Sequence, residues 1–289
     1  MVQRRTDLAL EARELRQGEA HALDGAALHE RVRHGVRVRV VEVTNEAAAR
    51  ALGKPEGVYV TLELGAEPSA EDAARALGEE LRALLGGGVR AALVVGLGND
   101  AMTPDALGTL AAGHVLVTRH LTGEAAFAGF APVSVLTPGV LGRTGIEAAE
   151  TVRGAVAAAK PDAVIAVDAL AARSLSRLCT TVQLSDTGVV PGSGVGNHRH
   201  ALDRASLGVP VIAVGVPTVV DAATLALDVL DGAGAAVGEP AALRGHGDVF
   251  VTTRDIDARV RALARIVGYG VDLALHPLEF DALRALLEQ

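Results

Sequence analysis

Asp105 is the residue whose chemistry and surroundings first suggest a function. It follows an apolar run, residues 91–95, that is typical of a buried parallel strand, and a glycine-rich turn with the sequence GLGND. Thr103 is a plausible N-cap and Pro104 suits the first helical position, so the sequence predicts that a helix begins here with Asp105 in its first turn. Because ligands gather at the carboxyl ends of strands in open α/β sheets, Asp105 is a candidate catalytic residue.

Two further strand ends carry aspartates. Asp168 directly follows the apolar run of residues 163–167, and Asp186 begins a glycine-rich loop after residues 181–184. In a parallel sheet these ends would share one edge with Asp105, and two nearby carboxylates repel, so that one is held protonated. Such a pair supplies a base and an acid for the attack of water on a peptide bond. An aspartate after a strand more often caps a helix, so each is a weak candidate alone and the three together are a stronger one.

The loop after Asp186 and the turn before Asp105 supply candidate binding groups. In the loop DTGVVPGSGVGN, exposed backbone N–H groups could hold a substrate backbone or an oxyanion, although a long tight turn explains the glycines equally well. We expect the site to be lined by Asn99, Asp186, Gly192, Ser193, Gly194 and Asn197. The tripeptide DTG also occurs in pepsin-like proteases, but those are β-rich and need two such loops, so that fold is excluded.

Other chemistries have less support. GLGND fails as a dinucleotide fingerprint because the third glycine would fall at Ala101, and there is no P-loop lysine. His198 and His200 could bind a metal, but two histidines are more often surface residues, and neither HExxH nor HxxEH occurs. We therefore assign no metal ligand and expect no cofactor. If a divalent metal takes part, Asp105 and Asp168 are its ligands.

The alternation of strand and helix patterns predicts how these residues are positioned. Val36–Val43 and residues 58–64 alternate apolar and polar side chains and are expected to form an antiparallel or edge pair. From residue 91 onward strands alternate with helices, and Asp168 is expected to run straight into a helix that ends near residue 178. This pattern predicts an α/β fold of three layers with a doubly wound, mostly parallel sheet, similar to phosphorylase/hydrolase-like folds. The other predicted elements are helices over residues 70–85, 104–112, 145–160, 217–230, 255–267 and 277–288 and strands over residues 115–117, 133–136 and 209–214.

The composition limits the possible domain organisation and the possible binding partners. At 289 residues, with 49% hydrophobic and 21% charged residues, the chain is expected to form one domain over 1–289, with a polar N-terminal segment at 1–30 and C-terminal helices at 255–289. The net charge of −8 argues against nucleic acid binding, because phosphates are neutralised by clustered lysines and arginines. Cys179 is the only cysteine, as expected in a reducing compartment, and no apolar run has the length of a membrane span. The expected location is the cytoplasm.

Six long motifs resemble those of one family. They are GLGNDAMTPDALG, LVTRHL, PVSVLTPGVLGRTGIE, VIAVDALAARSLSR, LSDTGVVPGSGVGN and LGVPVIAVGVPTVVDA. The resemblance extends from RTDLALE, which begins at Arg5, to LALHP, which ends at Pro277. On these motifs the sequence resembles the germination protease of spore-forming bacteria, and chance does not explain motifs this long in this order.

The resemblance implies a function and a site. Members of the family are endopeptidases that start the degradation of small acid-soluble, DNA-protecting spore proteins during germination, in the cytoplasm of the spore core. They are described as homotetramers that are made as zymogens and activated by autoproteolysis. The two proposed catalytic aspartates correspond to Asp105 in TPDALG and Asp168 in VIAVDALAA, one as the base towards a water and the other as the proton donor. The implied partners are the spore proteins and further copies of the chain, with no direct nucleic acid binding and no membrane.

The N-terminal segment resembles a cleavage sequence of this family. It consists of Arg5, Thr6, Asp7, Leu8 and Ala9, followed by LE. In the relatives a propeptide precedes such a segment, whereas here only residues 1–4 do. We expect either that zymogen control is lacking because the propeptide is largely absent, or that the chain start is trimmed or misassigned. In both cases the segment is expected to lie near its own active site.

A more distant likeness leaves the mechanism open. Hydrogenase-maturation endopeptidases share the strand–GxGN–turn–acidic pattern and an apolar strand that ends in Asp-Ala, and they bind nickel through two carboxylates and a histidine. The carboxylates correspond to Asp105 and Asp168, and the histidine has no counterpart that we can place, so a metal-dependent endopeptidase is the alternative. A catalytically silent assembly of the same fold and a small-molecule hydrolase or nucleotide-binding protein are the other interpretations.

Overall fold

The computed structural model describes residues 5–17, 23–192, 200–233 and 249–288, and these residues build one nine-stranded sheet. The strands are β1 (Ala26–Arg33), β2 (Val36–Val43), β3 (Gly57–Glu63), β4 (Ala92–Gly96), β5 (Val133–Leu136), β6 (Ala163–Ala172), β7 (Thr181–Ser185), β8 (Val211–Asp221) and β9 (Phe250–Val251). Their spatial order is β1-β2-β3-β7-β8-β6-β4-β5, and β9 pairs with part of β8. The sheet is mixed, because β5, β4, β6 and β8 run parallel to one another while the other pairings are antiparallel.

Helices cover both faces of the sheet. In the described part of the chain they are α1 (Ala9–Glu14), α2 (Glu46–Leu52), α3 (Ala70–Leu85), α4 (Leu107–Ala112), α5 (Leu141–Thr144), α6 (Ala148–Ala159), α7 (Arg204–Leu207), α8 (Ala222–Gly232), α9 (Ile256–Leu275) and α10 (Phe280–Leu287). One apolar cluster joins α3, α4 and α9 to one face of the sheet, and a second joins α6 and α7 to the opposite face of the parallel strands. The predicted three-layer α/β fold is confirmed.

Side-chain alternation along the central strands explains the three layers. In β4, Val94 belongs to the cluster with α3, α4 and α9, whereas Val95 belongs to the cluster with α6 and α7. Ile165 and Ala166 divide in the same way in β6. Since successive side chains of a strand point to opposite faces, an apolar strand without polar alternation must be covered on both sides.

Helix α3 shows how local sequence sets an element. Its N-cap Ser69 accepts the N–H of Asp72 at 3.3 Å, and Gly86 follows its last residue with φ of +67°. Leu77 and Leu81, one turn apart, are fully buried in the apolar cluster that joins α3 and α9 to the sheet. The predicted helix over residues 70–85 is confirmed, as is the antiparallel pairing of Val36–Val43 with the next strand.

Several predicted boundaries are wrong. The helix expected after Asp168 does not form, because β6 continues to Ala172 and pairs with β8 along this stretch. The helix expected at residue 217 begins only at Ala222, since β8 extends to Asp221. No strand forms at residues 115–117; instead, the N–H of Leu116 donates to the carboxylate of Asp272.

The two ends of the described chain also differ from expectation. The segment at 1–30, predicted to be polar, contains the first five residues of β1, and Leu8 and Leu10 are buried. In the C-terminal region α9 runs without interruption through Gly268 and Gly270, where the sequence predicted a break. A Cβ at Gly270 would lie 2.4 Å from Leu77 of α3, so glycine permits close packing of the two helices. None of the helices in the described ranges combines the length and the apolar character that crossing a membrane requires.

Candidate active site

The candidate site lies at the carboxyl end of β4, beside the middle of β6 and β8. Gly96, the last residue of β4, pairs with Val167 of β6, and Asp168 pairs with Gly215 of β8. Leu97 continues this alignment beyond β4, because its N–H donates to the Val167 carbonyl at 2.8 Å. The segment that follows β4 therefore begins beside Val167 and Asp168, in the middle of β6.

Asp168 lies within β6 rather than at its end. It is only 6% exposed, and its Oδ1 accepts the N–H of the next residue, Ala169, at 2.9 Å. The strand continues beyond it because β8 supplies pairing partners as far as Ala172. The hydrogen bonds between β6 and β8 fix the position of the Asp168 Cα. Burial restricts the access of water to its carboxyl group.

Asp105 ends a single 3₁₀ turn, Thr103–Asp105, that leads into α4. Its Oδ2 accepts the backbone N–H of Asn99 at 2.8 Å. The carboxylate therefore folds back onto the turn that follows β4 instead of capping α4, which has no side-chain cap from the described residues. The predicted N-cap role of Thr103 is wrong, because the 3₁₀ turn begins at Thr103 itself and α4 follows it.

Close backbone contacts hold this turn against the strand ends. Gly98 has φ of +103°, and a Cβ there would lie 1.9 Å from the carbonyl oxygen of Asp105. A Cβ at Gly108 of α4 would lie 2.3 Å from the carbonyl oxygen of Val167, so α4 packs directly on the residue before Asp168. The structure thus places Asp105 and Asp168 beside the carboxyl end of β4, and their catalytic role stays a prediction.

Asp186 does not join them. β7 runs antiparallel to β8, with Ser185 opposite Ala213, so Asp186 lies towards the amino ends of β6 and β8. Measured along the strands, Asp186 lies three residue positions from Asp168, which is roughly 10 Å. The Oδ1 of Asp186 accepts the N–H of Val58 at 2.8 Å and so extends the pairing of β3 with β7. The expectation that the three aspartates share one edge is wrong, because it assumed that β7 is parallel to β6.

The glycine-rich loop after Asp186 is described only in part. Gly192 has φ of +72°, a backbone conformation that favours glycine. Ser193, Gly194 and Asn197 lie outside the described residues. The binding role predicted for this loop stays a prediction.

The N-terminal segment of residues 5–9 lies against the carboxyl half of β6. The N–H of Asp7 donates to the carbonyl of Ala171 at 2.9 Å, and the Oδ2 of Asp7 accepts the N–H of Ala171 at 2.8 Å. Leu8 is fully buried beside it. Asp7 is therefore bound three residues beyond Asp168 on the same strand, roughly 10 Å along it, and the expectation that this segment lies near the active site stays a prediction.

Glu11 anchors the same segment, and sequence reasoning did not single it out. It is 1% exposed, and its carboxylate accepts the N–H groups of Arg173 at 2.7 Å and Ser174 at 3.0 Å. Arg177 lies 3.6 Å from its Oε1. The spacing of Asp7 and Glu11 around a buried LAL was the available signal, since two carboxylates that flank apolar residues must find partners when those residues are buried.

Lys54 and Gln183 were also missed, because their contacts are long-range. The Nζ of Lys54 donates to the carbonyls of Thr6 at 3.2 Å and Asp7 at 2.9 Å, and burial lowers the pKa of Lys54. The side chain of Gln183 donates to the Asp7 carbonyl at 3.1 Å and accepts the N–H of Ala9 at 2.7 Å. A single sequence carries no signal for such pairs.

Comparison with known proteins decides the family. The family model described as germination protease matches residues 3–242, well over half of the chain. The chain belongs to the germination protease family. Both candidate aspartates fall within the matched residues, as do β4, β6 and β8.

Individual members of the family support the assignment. The germination protease of Bacillus velezensis is 46% identical over 243 residues, which cover 78% of this chain and 66% of that protein. The germination protease of Bacillus subtilis strain 168 gives the same identity and the same coverage. The germination protease of Clostridium perfringens ATCC 13124 is 39% identical over 311 aligned residues, with 94% of this chain and 95% of that protein covered. The chain thus spans about two thirds of the length of the Bacillus members and nearly all of the Clostridium one.

Among solved structures, the [NiFe] hydrogenase maturation protease HycI from Thermococcus kodakarensis KOD1 is similar to this chain. The TM-score is 0.38 at 20% sequence identity, over 66% of this chain and 98% of that one.

In the described part of this germination protease family member, no three His, Cys, Asp or Glu side chains are grouped so that they could hold a metal ion. His198, one of the two histidines considered as ligands, lies outside the described residues, and His200 is exposed.

Proposed function

We propose that this protein is an endopeptidase that starts the breakdown of small acid-soluble, DNA-protecting spore proteins during germination. The observation that carries the proposal is that the turn with Asp105 packs beside β6 next to Asp168, where β4 ends, in a chain of the germination protease family. Both aspartates occupy positions that backbone contacts fix before any substrate binds, and such preorganisation is what acid–base catalysis requires.

The proposed chemistry uses one carboxylate and one carboxylic acid. The carboxylate accepts a proton from a water molecule, and the water oxygen forms a bond to the carbonyl carbon of the scissile peptide. The protonated carboxyl group gives its proton to the amide nitrogen as the C–N bond breaks, which leaves a new carboxyl end and a new amino end. The proposal requires the two acidic groups to lie close enough that their mutual repulsion keeps one of them protonated.

The N-terminal segment supports a second part of the proposal, control by self-cleavage. Residues 5–9 are bound beside the carboxyl half of β6 by Asp7, on the same strand as Asp168. The Arg5 N–H is itself held, since it donates to Thr224 Oγ1 at 3.1 Å. We propose that a longer form of the protein is cut near this segment, and that the active form is a homotetramer in the cytoplasm of the spore core.

Cleavage of a purified small acid-soluble spore protein tests the proposal. The wild-type protein should produce discrete fragments that mass spectrometry can assign, while Asp105→Asn and Asp168→Asn should each reduce kcat by at least about 100-fold, the range in which general acid–base groups contribute. Both variants should remain folded, because asparagine keeps the shape and accepts the same N–H bonds.

Asp162→Asn is the matched control. Asp162 precedes β6 at its amino end and accepts the N–H groups of Arg90 at 2.8 Å and Ala91 at 2.9 Å, much as Asp105 accepts an N–H at the opposite edge. This variant should keep wild-type kcat. An intact substrate after long incubation with wild-type protein, or full activity in either site variant, would contradict the proposal.

A chelator separates the bare aspartate pair from the metal-dependent alternative. Cleavage that survives dialysis against EDTA supports the aspartate pair as written. Loss of cleavage that is restored by a divalent cation would instead assign Asp105 and Asp168 as metal ligands.

A further inference from the structure

The turn that carries Asp105 is tied to β8 by one buried hydroxyl group. Thr218 is 1% exposed, and its Oγ1 donates to the carbonyl of Pro104 at 2.7 Å. Pro104 and Asp105 share a peptide bond, so this contact fixes the peptide plane from which the Asp105 side chain departs.

A β-bulge aims the Thr218 side chain at this turn. Leu170 of β6 lies opposite Pro217 of β8, whereas the next residue, Ala171, lies opposite Val219. Thr218 is therefore the extra residue of β8 at this point. A bulge interrupts the regular alternation of side chains and can redirect one of them, and bulges are frequent beside active sites for this reason.

Thr218 is itself held from a second direction. The hydroxyl of Thr252 donates to the Thr218 carbonyl at 2.7 Å, next to the short pairing of β8 with β9. Asp105 is thus restrained on two sides: the Asn99 N–H binds its carboxylate at 2.8 Å, and Thr218 holds the carbonyl of the residue before it. The Thr218 bond thus adds a restraint on the backbone of the turn to the bond that Asn99 makes with the carboxylate.

We propose that Thr218 is a positioning residue for the reaction, acting through Pro104 to hold the carboxyl group of Asp105 in its productive place. The inference rests on the proposed function, because it gives Asp105 a catalytic role. A misplacement of about 1 Å far from the reacting atoms can reduce turnover about 100-fold, so one lost hydrogen bond at this turn is sufficient for a large effect.

The test compares three variants on the same spore-protein substrate. Thr218→Val keeps the shape and removes the donor, and kcat should fall ten- to one-hundred-fold while KM stays within threefold. Thr218→Ser keeps the donor and should restore kcat to within threefold of wild type. The control is Thr118→Val: Thr118 is also buried, and its hydroxyl donates to the Ala131 carbonyl at the amino end of β5, far along the sheet from Asp105. It should lower the melting temperature and leave kcat within twofold.

The outcomes separate this inference from the proposed function. If wild-type protein cleaves and Asp105→Asn does not, but Thr218→Val keeps kcat within twofold, the positioning role is wrong and the proposed function stands. If Thr218→Ser is as impaired as Thr218→Val, the donor is not what matters and the inference is also overturned. If Thr218→Val does not fold, Thr252→Val takes its place, and the inference then requires a smaller loss of kcat at unchanged KM. If wild-type protein cleaves nothing, the proposed function itself fails.

Discussion

At the residue scale, the two candidate aspartates are supported in different ways. Asp168 belongs to a strand that pairs with β8 beyond it and with β4 up to the preceding residue. Asp105 belongs to one short turn, and its carboxylate is held by the N–H of Asn99. A backbone ladder tolerates the loss of one side-chain contact better than a single turn does. We therefore expect substitutions around Asp105 to affect turnover more than comparable substitutions around Asp168.

Asp186 gives a prediction that distinguishes its position in the structure from the site role that the sequence pattern suggested. Asp186→Asn should keep kcat within about twofold, because Asp186 lies towards the opposite edge of the sheet and its contact with the Val58 N–H survives in the amide. The cost in unfolding free energy should be about 1 kcal/mol or less, the range for one exposed hydrogen bond. Steady-state kinetics and urea unfolding measure the two quantities. A loss of kcat as large as that in Asp105→Asn would show that Asp186 belongs to the active site after all.

The error over Asp186 has a physical cause. The sequence contains the strand at residues 181–185, but the direction of that strand depends on its pairing with β3 and β8, which are distant in sequence. Apolar runs that are buried on both faces look alike in parallel and antiparallel positions. By contrast, Asp105 and Asp168 could be chosen from the sequence, because each follows or lies in a strand of the repeated strand–helix part.

At the scale of elements, the sequence predicted those helices and strands that are determined by interactions between residues close together in the chain. The helix over residues 70–85 has its cap at Ser69 and its apolar face within its own sequence. The extension of β6 beyond Asp168 could not be predicted, because the letters ALAA favour a helix in isolation. That stretch is a strand because β8 and Asp7 provide its hydrogen bonds. Tertiary pairing overrides helix propensity there.

Gly98 tests how strictly the turn after β4 places Asp105. In Gly98→Ala the new Cβ would meet the carbonyl oxygen of Asp105 at 1.9 Å, so the turn must shift. Gly123 is the matched control, since it has the same φ of +103° and a Cβ there would have no atom of the described residues within 4 Å. Both variants should lose about 1–2 kcal/mol of unfolding free energy to backbone strain. Only Gly98→Ala should also lose kcat, by at least about tenfold.

Urea unfolding and steady-state kinetics of the two glycine variants distinguish the causes. Equal kcat in both would show that the close contact between Gly98 and Asp105 does not govern the position of the carboxyl group. A loss of kcat in Gly123→Ala would show that strain alone is transmitted to the site. Either result would contradict the role given to the turn.

At the scale of the whole molecule, the sheet has two parts with different tasks. The parallel strands β5, β4, β6 and β8 carry the candidate site, and the antiparallel strands β1, β2, β3 and β7 extend the sheet on one side. The N-terminal segment crosses between them, because Asp7 binds β6 while Gln183 of β7 binds Asp7 and Ala9. Removal of this segment would remove its hydrogen bonds to Ala171 of β6 and to the side chain of Gln183 of β7, so the segment contributes to the fold.

A buried acid–base pair on α9 links this fold to pH. Asp272 is fully buried, and burial raises the pKa of its carboxyl group from 3.8 to about 8. His276 is 2% exposed and packs against Phe130 with a ring distance of 5.0 Å, and burial lowers its pKa from 6.5 to about 4. The Nε2 of His276 lies 3.8 Å from the Asp272 carboxylate. Both groups are therefore held neutral near pH 6.

The free energy of unfolding should fall by about 2 kcal/mol between pH 6.5 and 8, at about 1.4 kcal/mol per pKa unit. The contribution of Asp272 is fully present below pH 3.8 and is lost as pH rises towards 8, because its pKa is raised in the folded state. The contribution of His276 is present above pH 6.5 and is lost as pH falls towards 4, because its pKa is lowered. The two slopes cancel between pH 4 and 6.5, and above that range His276 no longer opposes the contribution of Asp272. Urea unfolding at pH 6.5 and 8 should show this loss in wild-type protein and not in Asp272→Asn, whose amide oxygen can still accept the N–H of Leu116. Equal pH dependence in the two proteins would show that Asp272 is ionised in the folded state at pH 6.5.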